Sequence, residues 1–175
     1  MANLLSKCAA ETSKIQHITP QNAGWEYVGF DVWRLKAGES IELPSDKLER
    51  CLVLVAGLAS VKAAESHFYR IGQRMSPFER TPAWSVYVPH HTCAQVIAET
   101  DLELAVCSAP GFGSLPVRLI SPDDVGVEHR GKGRNQRLVH NILPDNKPAD
   151  SLLVVEVYTR EGDTSSWPAH KHDTA

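Results

Sequence analysis

Apolar and polar residues alternate along most of the chain with a period of two, and almost no stretch repeats at the helical period. The alternation is clearest over residues 27–35, where Val28, Phe30 and Val32 point to one face of an extended strand and Tyr27 and Trp33 to the other. Residues 51–55 and 59–63 flank Gly57 as a hairpin, and residues 67–71 run up to Gly72. A strand over 85–88 stops at Pro89, another follows over 95–98, and 102–107 leads into the turn-rich Ala109-Pro110-Gly111-Phe112-Gly113. Roughly seven short strands separated by turn residues predict an all-β, antiparallel sandwich or jelly roll.

The pattern changes after residue 112. Ser121-Pro122-Asp123-Asp124 is the one convincing helix start, with a capping serine, a proline suited to the first helical position and acids at the positive end of the dipole. Val125-Gly126 limits it to about one turn. Residues 128–137 are rich in glycine and basic side chains, and 143–148 read as a loop. Residues 151–159 then give a strong strand signal. The expected organisation is a first β domain over 1–112, a connector with a Gly/Arg-rich loop over 113–148, and the opening strands of a second unit over 149–175.

Composition adds few constraints. Hydrophobic residues make up 42% and charged residues 22%, enough apolar material for a packed core and far from a disordered composition. A net charge of -3 supplies no basic field for nucleic acid or anionic membrane, so an anionic ligand needs locally placed cations. Cys8, Cys51, Cys93 and Cys107 lack metal-site or disulfide-scaffold spacing and are expected as ordinary buried thiols. With no signal-peptide core and no spanning apolar run, the expected location is the cytoplasm.

The sharpest chemical feature lies near the end, in Ser165-Ser166-Trp167-Pro168-Ala169-His170-Lys171-His172-Asp173. On an extended chain His170 and His172 project from one face, where both imidazoles can reach a divalent ion while Lys171 points away. Two imidazoles leave a metal site short of ligands, and an exposed polar tail is the competing expectation. His90 and His91 are adjacent and face opposite ways on a strand; His17, His67, His129 and His140 are scattered and expected as structural or surface groups. Arg130-Gly-Lys-Gly-Arg-Asn-Gln-Arg137 lacks the Gly-Lys-Ser/Thr of a phosphate loop. Its glycines and arginines suit a carboxylate ligand held by Arg130 or Arg137, with a solvated basic loop as the alternative.

Several segments in order resemble the 5-deoxy-glucuronate isomerases of inositol catabolism, relatives of the uronate isomerases of pectin breakdown. They are the stretch from Ile18 to Phe30, Ile71-Gly-Gln-Arg74, Val86-Tyr-Val-Pro89, the stretch from Glu103 to Pro110, the Arg130 to Arg137 segment, Asp150 to Tyr158, and Ser165 to Asp173. The resemblance implies two tandem cupin-type β-barrels. It implies a divalent metal, with zinc favoured, in the second barrel, held by His170, His172, a Glu shortly after and a later His, the last two without counterparts in this sequence. The expectation is therefore a chain truncated at the start of the second cupin.

The implied reaction converts 5-deoxy-glucuronate to 5-dehydro-2-deoxy-gluconate, an aldose–ketose isomerisation of a small sugar acid, with no nucleic-acid or membrane partner. The general base has no assignable residue. A different class of function is a non-catalytic cupin scaffold or small-ligand-binding module, since strand 152–158 would present an unpaired edge suited to homo-oligomers.

Overall fold

The computed structural model describes residues 6–9 and 12–165. Its strands, in chain order, are β1 (Lys14–Ile18), β2 (Gly29–Leu35), β3 (Ser40–Leu43), β4 (Leu48–Ala56), β5 (Ala59–Ala63), β6 (Ser66–Ile71), β7 (Ser85–Val88), β8 (Ala94–Ala98), β9 (Leu102–Pro110), β10 (Arg118–Ile120), β11 (Gly126–Arg130), β12 (Arg137–Leu143) and β13 (Val154–Thr159). They form three antiparallel sheets. One has six strands in the order β1-β2-β9-β4-β7-β10, one has four in the order β3-β8-β5-β6, and one has three in the order β11-β12-β13. The fold is the all-β one expected, with a cupin-type jelly roll formed by the first two sheets.

The six-stranded sheet is the middle layer, because alternate residues of its strands enter different cores. Leu52 and Leu54 of β4, with Leu104 and Val106 of β9, pack against Val61 and Val96 of the four-stranded sheet. Cys51 and Val53, with Tyr87 and Ala105, face the other way onto Ile142, Leu143, Leu152 and Val154 of the third layer. Each fully buried Leu or Val contributes roughly 1.5–3 kcal/mol of transfer free energy, so two-sided burial makes this sheet the centre of stability. The jelly-roll interior is thereby filled with aliphatic side chains.

Residues 113–148, expected as a connector with a Gly/Arg-rich loop, carry β10, β11 and β12. β10 pairs with β7, and β11 and β12 pair with each other and, through β12, with β13. β11 escaped the pattern because all five of its residues are exposed at an edge, so no apolar alternation marks it. The glycine-rich stretch is the turn joining β11 to β12: Gly131 has φ +80, and a Cβ there would collide with the Asn135 carbonyl oxygen. A one-turn helix at Pro20–Ala23, capped by the Thr19 side chain, also went unread, while the expected turn at Ser121 is a 3-10 turn over Pro122–Asp124.

Cys51 and Cys107 face each other across β4 and β9, Cys51 buried and Cys107 half-buried. Cys8 and Cys93 are exposed, contrary to the expectation of four buried thiols, because they lie outside the apolar strand runs. Among the described residues no helix is long and apolar enough to cross a membrane.

Candidate functional site

The third sheet is tied to the middle layer by two buried charged groups. Glu49, on β4, is fully buried. Its Oε2 accepts hydrogen bonds from the Tyr87 hydroxyl at 2.6 Å and the Asp150 N–H at 2.8 Å, and its Oε1 accepts from the Ser151 and Leu152 N–H groups, both at 2.6 Å. Every partner is a donor, which suits an acceptor-only carboxylate. This explains why β13 begins at Val154: the preceding N–H groups are taken by Glu49 instead of a neighbouring strand. Burial, followed by the hydrogen bond to Glu49, raises the Tyr87 phenol far above its ordinary value. Arg118 lies over the Tyr87 ring, 4.2 Å from its centre, and donates to the Pro148 carbonyl.

The second tie is Arg74, 2% exposed. Its Nε donates to the Val55 carbonyl at 2.8 Å and its Nη1 to the Thr81 carbonyl at 2.7 Å. Nη2 and Nη1 grip Glu156 of β13 as a fork, at 2.5 and 2.9 Å, and Nη1 also reaches the Tyr158 hydroxyl at 2.9 Å. The planar guanidinium suits such two-oxygen contact. His140 Nδ1 lies 3.1 Å from Glu156 Oε2, so one carboxylate faces both a guanidinium and an imidazole. Burial works against the charged form of Glu156, but hydrogen bonds with Arg74, Tyr158 and His140 outweigh it and hold its pKa below the ordinary carboxylate value. Burial and the adjacent Glu156 push the Tyr158 phenol up to about 12.

Beside this network a cleft of about 230 Å³ opens at the end of the third sheet, lined among others by Arg80, His129, Gln136, Arg137, Tyr158 and Arg160. Arg80 comes from the segment between β6 and β7; the others come from the third sheet and its turns.

Arg130 and Arg137 are register partners across β11 and β12, yet their guanidinium groups join different networks. Arg130 grips Glu128 Oε1, with its Nε at 2.8 Å and its Nη2 at 2.5 Å, and Nη2 also donates to Asn141 Oδ1 at 2.9 Å. Arg137 Nη1 donates to the Asn135 carbonyl and side-chain oxygens, both at 3.0 Å, bracing the β11–β12 turn at the cleft wall. His170 and His172 lie outside the described residues. Among the described residues no group of three or more His, Cys, Asp or Glu side chains is placed to hold a metal. His90 is engaged with the Gly113 carbonyl at 2.6 Å.

Sequence reasoning gave no role to Glu49, Arg74 or Glu156, and His140, expected as a structural or surface group, is the buried partner of Glu156. The available signal was a charged residue inside or beside an apolar strand: Glu49 borders the run from Cys51, and Glu156 interrupts Val154, Val155 and Val157.

The KduI/IolB family model matches residues 4–175. The chain belongs to the KduI/IolB family. It is 53% identical over 163 residues to a 5-deoxy-glucuronate isomerase of Geobacillus thermodenitrificans, spanning 93% of this chain and 60% of that protein. It is 46% identical over 179 residues to one of Halalkalibacterium halodurans, spanning 99% of this chain and 66% of that protein. The chain therefore spans about three-fifths of the length of the first of these KduI/IolB relatives. A solved structure of an IolB-like protein from Salmonella typhimurium LT2 superposes with a TM-score of 0.95 at 84% identity, over 99% of this chain and 66% of that one. The layered jelly roll described above is thus the fold of this part of the KduI/IolB family.

Proposed function

We propose that this chain is part of a 5-deoxy-glucuronate isomerase that forms 5-dehydro-2-deoxy-gluconate in myo-inositol catabolism in the cytoplasm. The observation that carries this is identity of 53% to a 5-deoxy-glucuronate isomerase over nearly the whole chain. The reaction takes a proton from the carbon beside the aldehyde, forms an enediol, and returns a proton to the former aldehyde carbon, leaving a ketone with no net change in atoms. The substrate is a small carboxylate-bearing sugar. Arg137, at the cleft wall, and Arg130 are its proposed carboxylate holders, since a guanidinium fork matches a carboxylate.

In the same proposal residues 1–112 form the first cupin-like domain and residues 149–175 open a second. His170 and His172 would hold a divalent metal, zinc being favoured by the all-imidazole donor pair. When bound, such an ion polarises a carbonyl as a Lewis acid. The exposed apolar side chains Val155 and Val157 on the edge strand, with Leu153 just before it, favour a second reading, in which the chain is a non-catalytic scaffold that self-associates through residues 152–158.

Metal content and proton NMR of 5-deoxy-glucuronate, applied to the chain and to the longer Geobacillus relative, test the assignment. Metal and turnover that are both lost on His170→Ala or on His172→Ala, at the aligned positions of the relative, support it. A metal-loaded relative that leaves the substrate unchanged overturns it, and an unchanged KM in Arg137→Ala removes Arg137 from substrate binding.

A further inference from the structure

The cleft beside Tyr158 brings together charges from distant parts of the chain with no acid among its lining residues. Arg80, His129, Arg137 and Arg160 line it together with the polar groups of Gln136 and Tyr158. Most of these groups donate hydrogen bonds, and three carry a permanent positive charge. Their neutralisation is incomplete. Arg160 uses its Nε on Asp163 Oδ2 at 2.8 Å, and Arg137 uses Nη1 on Asn135, so both retain further N–H donors. The Arg80 guanidinium has no hydrogen-bond or ion-pair partner among the described residues.

Arg80 is also held where it is by construction. It closes the 3-10 turn Pro77–Glu79, which is fixed by a capping box between Ser76 and Glu79, and its own backbone takes the left-handed φ of 58. A non-glycine residue takes that region only where the surrounding structure holds it there. The buried Arg74 differs in this respect, since its guanidinium is saturated by Glu156, Tyr158 and two carbonyls. Like charges converging on a concave site of about 230 Å³ repel one another unless an anion enters.

We propose that this cleft is a binding site for a small oxyanion, a carboxylate or phosphate group, with Arg80 and Arg160 as its charged arms. The anion bridges the β6–β7 segment of the jelly roll and the end of the third sheet. The shared chemistry is a planar or tetrahedral group of oxygens matched by guanidinium forks. Occupancy requires no turnover, so the site is tested apart from the isomerase assignment.

The test is calorimetric titration of the chain at low ionic strength with inorganic phosphate and, separately, with D-glucuronate. At least one anion binds saturably at one site, and affinity falls as sodium chloride is added. Arg80→Gln and Arg160→Gln each weaken it at least tenfold, while Arg80→Lys retains part of it. Both arginines are exposed, so the unliganded variants keep the parent's thermal midpoint. Tighter glucuronate identifies a sugar acid as the source of the oxyanion, and tighter phosphate identifies a phosphate-bearing small molecule. No saturable binding of either anion, or parent affinity in both glutamine variants, overturns the proposal.

Discussion

The backbone N–H of Leu152 donates a 2.6 Å hydrogen bond to Glu49 Oε1, joining residues 103 positions apart inside the protein. With the Asp150 and Ser151 N–H groups on the same carboxylate, this fixes the chain just before β13. Glu49→Gln replaces one acceptor oxygen by an amide that faces other donors. Breaking such a buried network costs roughly 2–4 kcal/mol. Urea unfolding should show that loss, and the amides of residues 150–152 should exchange faster in the variant; unchanged exchange there would show that Glu49 does not hold the segment.

Acid should loosen the same interface through Glu156. Its carboxyl is held below its ordinary pKa in the folded state, so the unfolded chain takes up the proton first as pH falls. The stabilisation is therefore complete above the unfolded carboxylate value of about 4.3 and is lost as pH drops through the lower folded value. Unfolding free energy measured from pH 7 down to pH 3 should fall across this window. Glu156→Gln should start lower, because Arg74 is left without its anion, and should show a shallower acid slope. A slope equal to the parent's would assign the acid response to other groups.

The cysteines divide into two reactive classes. Cys8 and Cys93 are exposed, whereas burial raises the Cys51 thiol strongly and pushes the Cys107 thiol up to about 11. Thiolate is the reacting species, so a colorimetric thiol reagent at pH 8 should titrate two groups in the native protein and four in guanidinium. Fast modification of Cys107 in the native state would contradict the packing between β4 and β9.

Self-association should follow the exposed face of β13. Val155 is 48% and Val157 41% exposed on an edge strand. Sedimentation of the chain should show a concentration-dependent dimer that Val155→Lys and Val157→Lys shift to monomer, since edge lysines block strand pairing. A chain that stays monomeric at high concentration removes strand 152–158 as a contact surface.

Two-sided burial decided which parts of the fold were legible in the sequence. The strands through Leu52, Val86 and Leu104 are apolar on both faces and stand out as continuous runs. The edge strand from Gly126 to Arg130 buries nothing and is stabilised by its ladder with β12, a long-range pairing that no local pattern encodes. The candidate site divides similarly. Arg137 was visible through the glycines beside it, whereas Arg80 meets Arg160 only because the β6–β7 segment is carried to the end of the third sheet. Glu49 and Arg74 carry no local signal, since Leu152 and Glu156, to which they bind, lie 103 and 82 positions away along the chain.

The middle position of the six-stranded sheet also sets an order of assembly. Ile142, Leu143, Leu152 and Val154 have no apolar surface to land on until Cys51, Val53, Tyr87 and Ala105 are already aligned side by side. The jelly-roll strands precede the third sheet along the chain, so during synthesis they leave the ribosome first and can serve as its template. The third sheet, packed on the jelly roll through one face only, should therefore open before the jelly roll as denaturant rises.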